Sequence, residues 1–494
     1  MSVPKSIAFI KLFVFINGAA ICALEITSSR VLAPYFGTSL PVWGSVMGVT
    51  MIALAIGYSW GGRIADKRPN LSALGYLTLI AGILATFSPL LAKVVLATTF
   101  NSLIDTNLII IIGSLIGMTL LFALPIMIMG MVSPYAVRIA SSNIIDIGQT
   151  AGSLYSIATI GSIFGIFLPS FIMVPLLGSR ITIVIFATLE ILISILAIRQ
   201  AKFLLLLTVP LLAALDNQYI YPDSIVELET PYQYVRVLKS NGVYKMKFNE
   251  GTGTQSIFDT SRVLSTGLYW DFAEIFPYFQ PQKTNQDMLI LGVAGATIAT
   301  NIRDHVDDIK VNITGIEIDP QVMNLAKKYF DANQKALNYQ IADGRVGVNQ
   351  LDKKFDMIYV DAYTQQLYIP PHLATYEFFK EAKQKLQSDG FLIANVNSIS
   401  KTGPLLEAIA TTMDAVFNTV WIIPIPDSYN YLVLASDNRN LMNNYRAPDK
   451  FSEFSQIVKN DSWVFSGNGL LLTDDHAPLE FLTDWEIYQG IKGM

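Results

Sequence analysis

The C-terminal half contains a glycine loop and three acids whose spacing suits nucleoside chemistry. The loop, Gly292 to Ala296, follows a short apolar run, and Glu317, Asp343 and Asp361 each follow a later β-type run. A tight loop lets backbone approach a ligand, and an acid after the next strand binds ribose hydroxyls. The loop lacks a clean GxGxxG pattern. The residues therefore predict a site for a single adenosine-containing nucleoside.

These residues need a sheet that brings strand ends together. Strands alternate with helices from Met288 onward, which predicts a parallel, doubly wound α/β sheet. The strands are expected at 288–291, 311–316, 338–341, 355–360, 391–396, 420–423 and 431–435. Ligands of such sheets bind outside the carboxyl ends of the strands, where the loop and the acids fall.

A smaller β-rich segment precedes this sheet. Four short β-type runs lie between residues 225 and 258, and Asn241-Gly242 separates two of them. Asn-Gly between β-type runs is typical of a hairpin. We therefore predict a small antiparallel sheet followed by a helix near 266–276.

The first 215 residues have a different composition. The chain has 494 residues, of which 15% are charged, but residues 1–215 carry only 11 basic and 5 acidic side chains. The remainder carries 23 basic and 34 acidic side chains. The composition of the first region therefore predicts a membrane domain. The acidic charge of the remainder argues against nucleic acid as a partner.

Six apolar stretches are long enough to cross a bilayer, near 7–26, 43–60, 71–92, 107–129, 152–177 and 181–198. A seventh run, 203–215, is short and contains Pro210, so we expect it at the membrane interface.

The basic residues of the loops indicate the orientation. Arg63, Lys67, Arg68, Arg138, Arg199 and Lys202, with Lys5 and Lys11, fall on one side, and Arg30, Lys93 and Arg180 fall on the other. The more basic side should be cytoplasmic. Six spans then place the soluble domain in the cytoplasm, at the cell (inner) membrane, whereas seven would place it outside.

Three domains follow: a transmembrane domain over 1–215, a small β domain with a helix over 216–282, and a nucleoside-binding domain over 283–494. The chain has one cysteine, Cys22, and three histidines far apart in sequence. No His/Cys cluster has metal-ligand spacing, so no metal is expected.

Several longer motifs resemble one family. They are Tyr232-Gln233, Gly-Ile-Glu-Ile-Asp around Glu317, Ala-Asp-Gly around Asp343, Tyr-Val-Asp-Ala-Tyr around Asp361, Ile369 to Leu373, and Thr473 to Glu480. Residues 225–485 resemble the spermidine synthase (polyamine aminopropyltransferase) family, and the whole chain resembles its membrane-fused bacterial branch. The resemblance implies a small β domain followed by a Rossmann-like domain of the class I methyltransferase type.

The resemblance also implies roles for individual residues. Gln233, Gly292, Gly295, Glu317 and Asp343 would hold the nucleoside, with Glu317 on the ribose and Asp343 on the adenine amino group. Asp361 would be catalytic, and Tyr269, Asp271 and Tyr363 would face the substrate. The implied co-substrate is decarboxylated S-adenosylmethionine, the acceptor a polyamine such as putrescine, and the assembly a homo-oligomer.

Three positions depart from the family pattern. Gly295 stands where the family has an acid that disfavours intact S-adenosylmethionine. Trp270 and Asp271 replace the His-Glu that follows the family's tyrosine. Thr364 stands where a second acid follows the catalytic one.

These departures keep two other functions open. Methyl transfer from intact S-adenosylmethionine would need the same fold and the same nucleoside-binding acids. Alternatively, the chain is a polyamine transporter or sensor whose soluble domain only binds, with Glu25 in the first span as its key residue.

Overall fold

The computed structural model describes residues 7–103, 109–141, 147–215, 220–221, 223–249, 253–261, 266–333, 337–364 and 367–492. Lys5, used above to orient the membrane domain, lies outside these ranges. By contacts the chain divides into two compact units. One comprises Met1–Pro222, Glu227–Tyr234 and Asn249–Gly251, and the other comprises Asp223–Val226, Val235–Phe248 and Thr252–Met494.

The first unit is a helical bundle. Its helices are α1 (Ile7–Phe36), α2 (Leu40–Lys67), α3 (Leu71–Leu103), α4 (Ile109–Met118), α5 (Leu124–Gly130), α6 (Val132–Ala140), α7 (Ile147–Leu168), α8 (Val174–Ile198) and α9 (Thr208–Leu215). π-helical turns, Thr119–Ala123 and Pro169–Met173, join α4 to α5 and α7 to α8, and a 3₁₀ helix, Ala201–Leu207, precedes α9.

Small residues let the apolar helices pack closely. A Cβ added at Gly161 or Gly165 of α7 would lie 2.1 Å from a backbone oxygen of α1, that of Phe15 or Ala19. These two glycines, four residues apart, therefore bring the backbones of α7 and α1 into direct contact, a packing typical of helices in lipid.

The six predicted spans correspond to five continuous helical runs. Within the described ranges, five helical runs are long and apolar enough to cross a membrane: Ile7–Phe36, Leu40–Lys67, Leu71–Phe100, Ile110–Ala140 and Ile147–Ile198. The last run has 52 residues and contains both final predicted spans without an intervening loop. Gly178 interrupts this helical run with non-helical dihedral angles (φ 80°, ψ 164°). The two predicted spans therefore lie on either side of Gly178.

A small sheet follows the bundle. Its strands are β1 (Ser224–Glu229), β2 (Tyr234–Ser240), β3 (Val243–Phe248) and β4 (Ser256–Asp259), in the order β1-β2-β3-β4. The pairs β2–β3 and β3–β4 are antiparallel. Asn241 and Gly242 both have positive φ at the β2–β3 turn, as an Asn-Gly hairpin requires.

The larger sheet has eight strands. They are β5 (Asn285–Leu291), β6 (Lys310–Glu317), β7 (Asn338–Ile341), β8 (Phe355–Val360), β9 (Leu386–Asn397), β10 (Thr419–Pro424), β11 (Asn430–Ser436) and β12 (Trp463–Val464). Their order is β12-β10-β11-β9-β8-β5-β6-β7. Connections diverge on either side of β5, which makes the β5/β8 edge the topological switch point.

Helices cover both faces of this sheet. They are α10 (Tyr269–Phe272), α11 (Thr297–His305), α12 (Pro320–Tyr329), α13 (Gly344–Gln350), α14 (Tyr376–Gln384), α15 (Pro404–Asp414), α16 (Leu441–Asn444), α17 (Ser452–Asn460) and α18 (Leu479–Lys492). Short 3₁₀ helices occupy Ala273–Phe279, Pro371–Leu373 and Asp449–Phe451. One core holds residues of α11, α12 and α17 against the sheet, and the other holds residues of α13, α14 and α15.

The sheet is mixed rather than wholly parallel as predicted. Strands β5 to β9 pair in parallel, but β11 pairs antiparallel with both β9 and β10, and β12 pairs antiparallel with β10. Only five residues join β10 to β11, too few for the crossover that parallel strands need.

Candidate active site

Asp361 follows β8 at the switch point and lies in a partly buried polar site. Its Oδ1 accepts a hydrogen bond from Asn395 Nδ2 at 2.8 Å, and the Tyr269 side chain also bonds to the carboxylate. Burial raises the pKa of Asp361 to about 7, although both hydrogen bonds oppose the shift. A carboxyl with this pKa can exchange a proton near neutrality.

Tyrosines surround this carboxyl. Burial and the neighbouring Asp361 charge raise the pKa values of Tyr269, Tyr359 and Tyr363 well above the ordinary value for tyrosine. All three hydroxyls therefore stay protonated. Tyr363 donates to the Asn395 carbonyl at 2.9 Å. The Tyr359 hydroxyl is buried and has no hydrogen-bond partner among the described residues.

A network of asparagines contacts Asp361, and the sequence did not predict it. Asn395 is 3% exposed on β9, and its Oδ1 accepts from Asn430 Nδ2 of β11 at 2.9 Å. Asn430 in turn accepts from the Ser428 hydroxyl at 2.6 Å. Nothing marks an asparagine within a strand as functional until the sheet register places β9 beside β8.

Glu317, at the end of β6, binds the glycine loop. Its Oε2 accepts from the N–H groups of Val293 and Ala294, both at 3.0 Å, and its Oε1 accepts from Asp319 N–H at 3.1 Å. Burial raises the pKa of Glu317, and these three donors oppose that effect. The sequence expectation of a loop and an acid at one sheet edge is met by direct contact.

Gly292 brings the loop to Asp361. Its φ is +83°, and an added Cβ would lie 2.4 Å from the Asp361 carbonyl oxygen. Asp361 N–H also donates to Leu291 O at 2.9 Å. Ala294 and Ala296 have positive φ as well, a conformation that costs an L-residue about 1–2 kcal/mol.

Two neighbouring side chains pack closely against Gly295. An added Cβ would lie 2.6 Å from Ser256 Cβ and 3.0 Å from Phe330 Cδ1. Gly295 N–H donates to Ser256 Oγ at 2.7 Å. The space beside Gly295 is therefore filled by neighbouring side chains.

Asp343 caps α13 and contacts a histidine. One carboxylate oxygen accepts from Arg345 N–H at 3.0 Å and Val346 N–H at 3.1 Å, and the other lies 2.8 Å from His372 Nε2. Although burial opposes it, these bonds hold the pKa of Asp343 below its ordinary value. Arg345 binds Asp474 through two hydrogen bonds, which connects the 473–480 motif to this corner.

The other predicted site residues are placed as follows. Asp271 is buried, and its carboxylate accepts from Thr266, Gly267 and Asn301. Gln233 belongs to the unit that contains the apolar helices and is buried in a turn that bonds to Thr230. The substrate and nucleoside contacts expected of these two residues stay predictions.

Comparison with known proteins finds similarity to one family over part of the chain. Residues 278–443 match the model of the spermine/spermidine synthase domain. A probable polyamine aminopropyl transferase of Bifidobacterium longum is 29% identical over 288 residues, or 52% of this chain and 61% of that protein. Polyamine aminopropyltransferase 2 of Aquifex aeolicus is 22% identical over 414 residues, or 78% of each chain.

Among solved structures, a probable spermidine synthase from Corynebacterium glutamicum aligns over 51% of this chain and 98% of its own, with 16% identity and a TM-score of 0.42. The chain spans less than two thirds of the Bifidobacterium relative's length. The domain match includes Gly292, Glu317, Asp343 and Asp361. This chain therefore carries a spermine/spermidine synthase domain, over residues 278–443.

Proposed function

We propose that the protein is a membrane-anchored polyamine aminopropyltransferase of the spermidine synthase type. It would transfer the aminopropyl group of decarboxylated S-adenosylmethionine to a polyamine acceptor such as putrescine. The observation that carries the proposal is the Asp361 carboxyl, with a pKa of about 7, at the switch point of a matched synthase domain. Relatives named as polyamine aminopropyltransferases support it.

The reaction needs a neutral amine. A free alkylamine has a pKa of about 10 and is mostly protonated at neutral pH. In the proposed step the amine nitrogen attacks the carbon beside the sulfonium, the carbon–sulfur bond breaks, and its electron pair stays on sulfur as a thioether. The proton released by nitrogen passes to Asp361, and alignment of nitrogen, carbon and sulfur supplies further rate.

Other residues would bind and orient the reactants. Glu317 and Asp343 would hold the ribose and the adenine, while Tyr269 and Asn395 keep the Asp361 carboxylate in one orientation. Since Tyr269 stays protonated, its hydroxyl donates to Asp361 and leaves the other carboxylate lone pairs for the amine.

Methyl transfer from intact S-adenosylmethionine is the second candidate. The observation that favours it is Gly295, because the acid that would repel the substrate carboxylate is missing there. Ser256 and Phe330 fill that space, so any discrimination between the two sulfonium substrates must come from elsewhere.

The identity of the released thioether distinguishes the two reactions. Purified full-length protein would be incubated with each sulfonium nucleoside and a mixture of amines, and the products identified by mass spectrometry. Methylthioadenosine, with an aminopropyl group gained by one amine, supports the proposal. Release of S-adenosylhomocysteine would instead show methyl transfer and would overturn the proposal.

A further inference from the structure

The helical bundle has two distinguishable ends. At the first, Arg138 pairs with Asp66 at 3.2 Å, and the Tyr135 hydroxyl donates to the Arg68 carbonyl. Ser72 Oγ lies 3.5 Å from Ala197 O. The ends of α2, α6 and α8 and the start of α3 therefore meet at this end, which we call the basic end.

The basic end contains most of the cationic residues near helix termini. Arg63, Lys67, Arg68, Arg138, Arg199 and Lys202 lie in or beside the elements that meet there. At the far end, the described cations near helix termini are Arg30, Lys93 and Arg180. Because Lys and Arg are enriched in cytoplasmic loops, the basic end is assigned to the cytoplasm.

The segment 201–215 runs along the side of the bundle from one end to the other. It starts at the basic end, where Gln200 Nε2 donates to the Tyr76 hydroxyl at 3.1 Å and Phe203 packs against the Tyr76 ring. Phe203, Leu206 and Leu207 then pack on a cluster that includes Leu79 and Ile191.

The same segment finishes at the far end. Arg180 Nη2 donates to Ala213 O, and Arg180 lies about 27 Å along α8 from Ile198 at 1.5 Å per residue. One 3₁₀ and one α segment of these lengths together span about 26 Å. That is close to the hydrocarbon thickness of about 30 Å.

The chain that follows stays at the far end. The Tyr221 hydroxyl donates to Pro34 O at 2.8 Å, near the last residue of α1. Glu229 Oε2 accepts from Ser179 N–H at 2.9 Å, directly after the Gly178 break, and Arg30 donates to Pro231 O. The chain thus leaves the bundle opposite the basic end.

We infer that residues 201–215 form a seventh crossing and that the synthase domain lies on the non-cytoplasmic side of the membrane. Among the described residues after 215, no helix is long and apolar enough to cross back. This assignment reverses the cytoplasmic location expected from six spans. The sequence predicted six spans because residues 203–215 are few for a crossing and contain Pro210.

The assignment has a consequence for substrate supply, which rests on the proposed function. The sulfonium nucleoside carries a fixed positive charge and cannot cross hydrocarbon unaided. A transport step must therefore deliver it to the synthase side, or a reaction on that side must produce it. The sidedness itself does not depend on which group is transferred.

Cysteine labelling tests the sidedness directly. In a Cys22→Ser background, Lys354→Cys places a thiol on an exposed site of the synthase domain, and Lys67→Cys is the matched variant at the basic end. With a membrane-impermeant maleimide on sealed spheroplasts, we expect Lys354→Cys to react and Lys67→Cys to react only after permeabilisation. The reverse pattern, or equal labelling of both sites, overturns the inference.

Turnover in sealed right-side-out vesicles separates this inference from the proposed function. We expect added decarboxylated S-adenosylmethionine and putrescine to be converted before detergent is added. Turnover that appears only after detergent would overturn the inference. Absence of turnover in both conditions would count against the proposed function alone, and the labelling would still decide the side.

Discussion

At the scale of single residues, the proposed chemistry depends on the surroundings of the Asp361 carboxyl. Burial favours its neutral form, while Asn395 and Tyr269 donate to its charged form, and the balance leaves a pKa of about 7. A general base is most effective when its pKa lies near the working pH. Asn395 touches Asp361 rather than substrate, so it is a positioning residue.

Removal of the Asn395 donor should change the pH profile. In Asn395→Ala the Asp361 carboxylate loses one stabilising hydrogen bond, so the pKa of Asp361 rises further. Only the ionised form accepts a proton, so the acid limb of kcat/KM should move to higher pH with the same amine. Asn312→Ala, toward the opposite edge of the sheet, is the control. An unmoved limb, or one shifted to lower pH, would contradict this role.

The same raised pKa predicts a stability effect. The folded state holds a proton on Asp361 up to about pH 7, whereas the unfolded carboxyl releases it near its ordinary value of 3.8. This contribution to stability is complete at low pH and declines as pH rises from about 4 to 7. Asp361→Asn should therefore raise the melting temperature at pH 8 but not at pH 3. An equal change at both pH values would show that the carboxyl is not buried in this way.

At the scale of elements, the small sheet closes over the glycine loop. Strand β4 supplies Ser256 to Gly295, and Thr297, at the start of α11, bonds to both N–H and carbonyl of Ile257. A strand far from the loop in sequence thereby fixes the loop's shape. The loop can then hold two alanines at positive φ without relaxing.

A double-mutant cycle measures this closure. Gly295→Ala puts a methyl group against Ser256 and should destabilise the protein by about 1–3 kcal/mol through overpacking. Ser256→Gly removes the obstructing atoms, so the double variant should be more stable than the two single effects predict. Denaturant unfolding of all four proteins gives the coupling. Additive effects would mean that Ser256 does not limit this position.

The C-terminal helix α18 is anchored by a buried acid. Glu486 is 3% exposed and accepts from Ser398 Oγ at 2.7 Å, Ile399 N–H at 3.1 Å and Leu405 N–H at 2.7 Å. Glu486→Gln weakens these bonds and replaces one acceptor oxygen with a donor. The free energy of unfolding should therefore fall by about 1–3 kcal/mol. Thermal unfolding should show the loss, whereas the exposed Glu453→Gln should change little. Equal melting temperatures would contradict the anchoring role.

The sequence predicted some elements better than others, for physical reasons. β7 and β8 begin and end as predicted because turn residues follow these short β-type runs. Glu317 and Asp361 could be found because acids at strand ends are conspicuous. Asn395 and the reversal of β11 depend on which strands become neighbours, and local residue patterns do not contain that information.

At the scale of the whole molecule, the described part of the chain combines five long apolar helical runs with a segment that matches the spermine/spermidine synthase domain. The three-domain division and the homo-oligomer remain predictions from the sequence. The path of residues 201–215 decides on which side the synthase domain emerges, so fifteen residues determine where the substrates are needed.

Membrane extraction tests the anchoring. Apolar helices of this length should stay in the bilayer at high pH and high salt, because neither condition weakens burial in hydrocarbon. The full chain and its activity should therefore remain in the pellet after alkaline carbonate extraction of membranes. Recovery of the chain in the supernatant would show that it is bound only at the surface.

Asp361→Asn tests the claim that Asp361 accepts the proton in aminopropyl transfer. We would measure kcat with decarboxylated S-adenosylmethionine and the accepted amine, and nucleoside affinity by calorimetry on the same preparation. We expect kcat to fall by about 10²–10⁴-fold, as for loss of a general base, while nucleoside affinity is retained. Unchanged kcat would contradict the claim, and so would loss of kcat explained by loss of nucleoside binding.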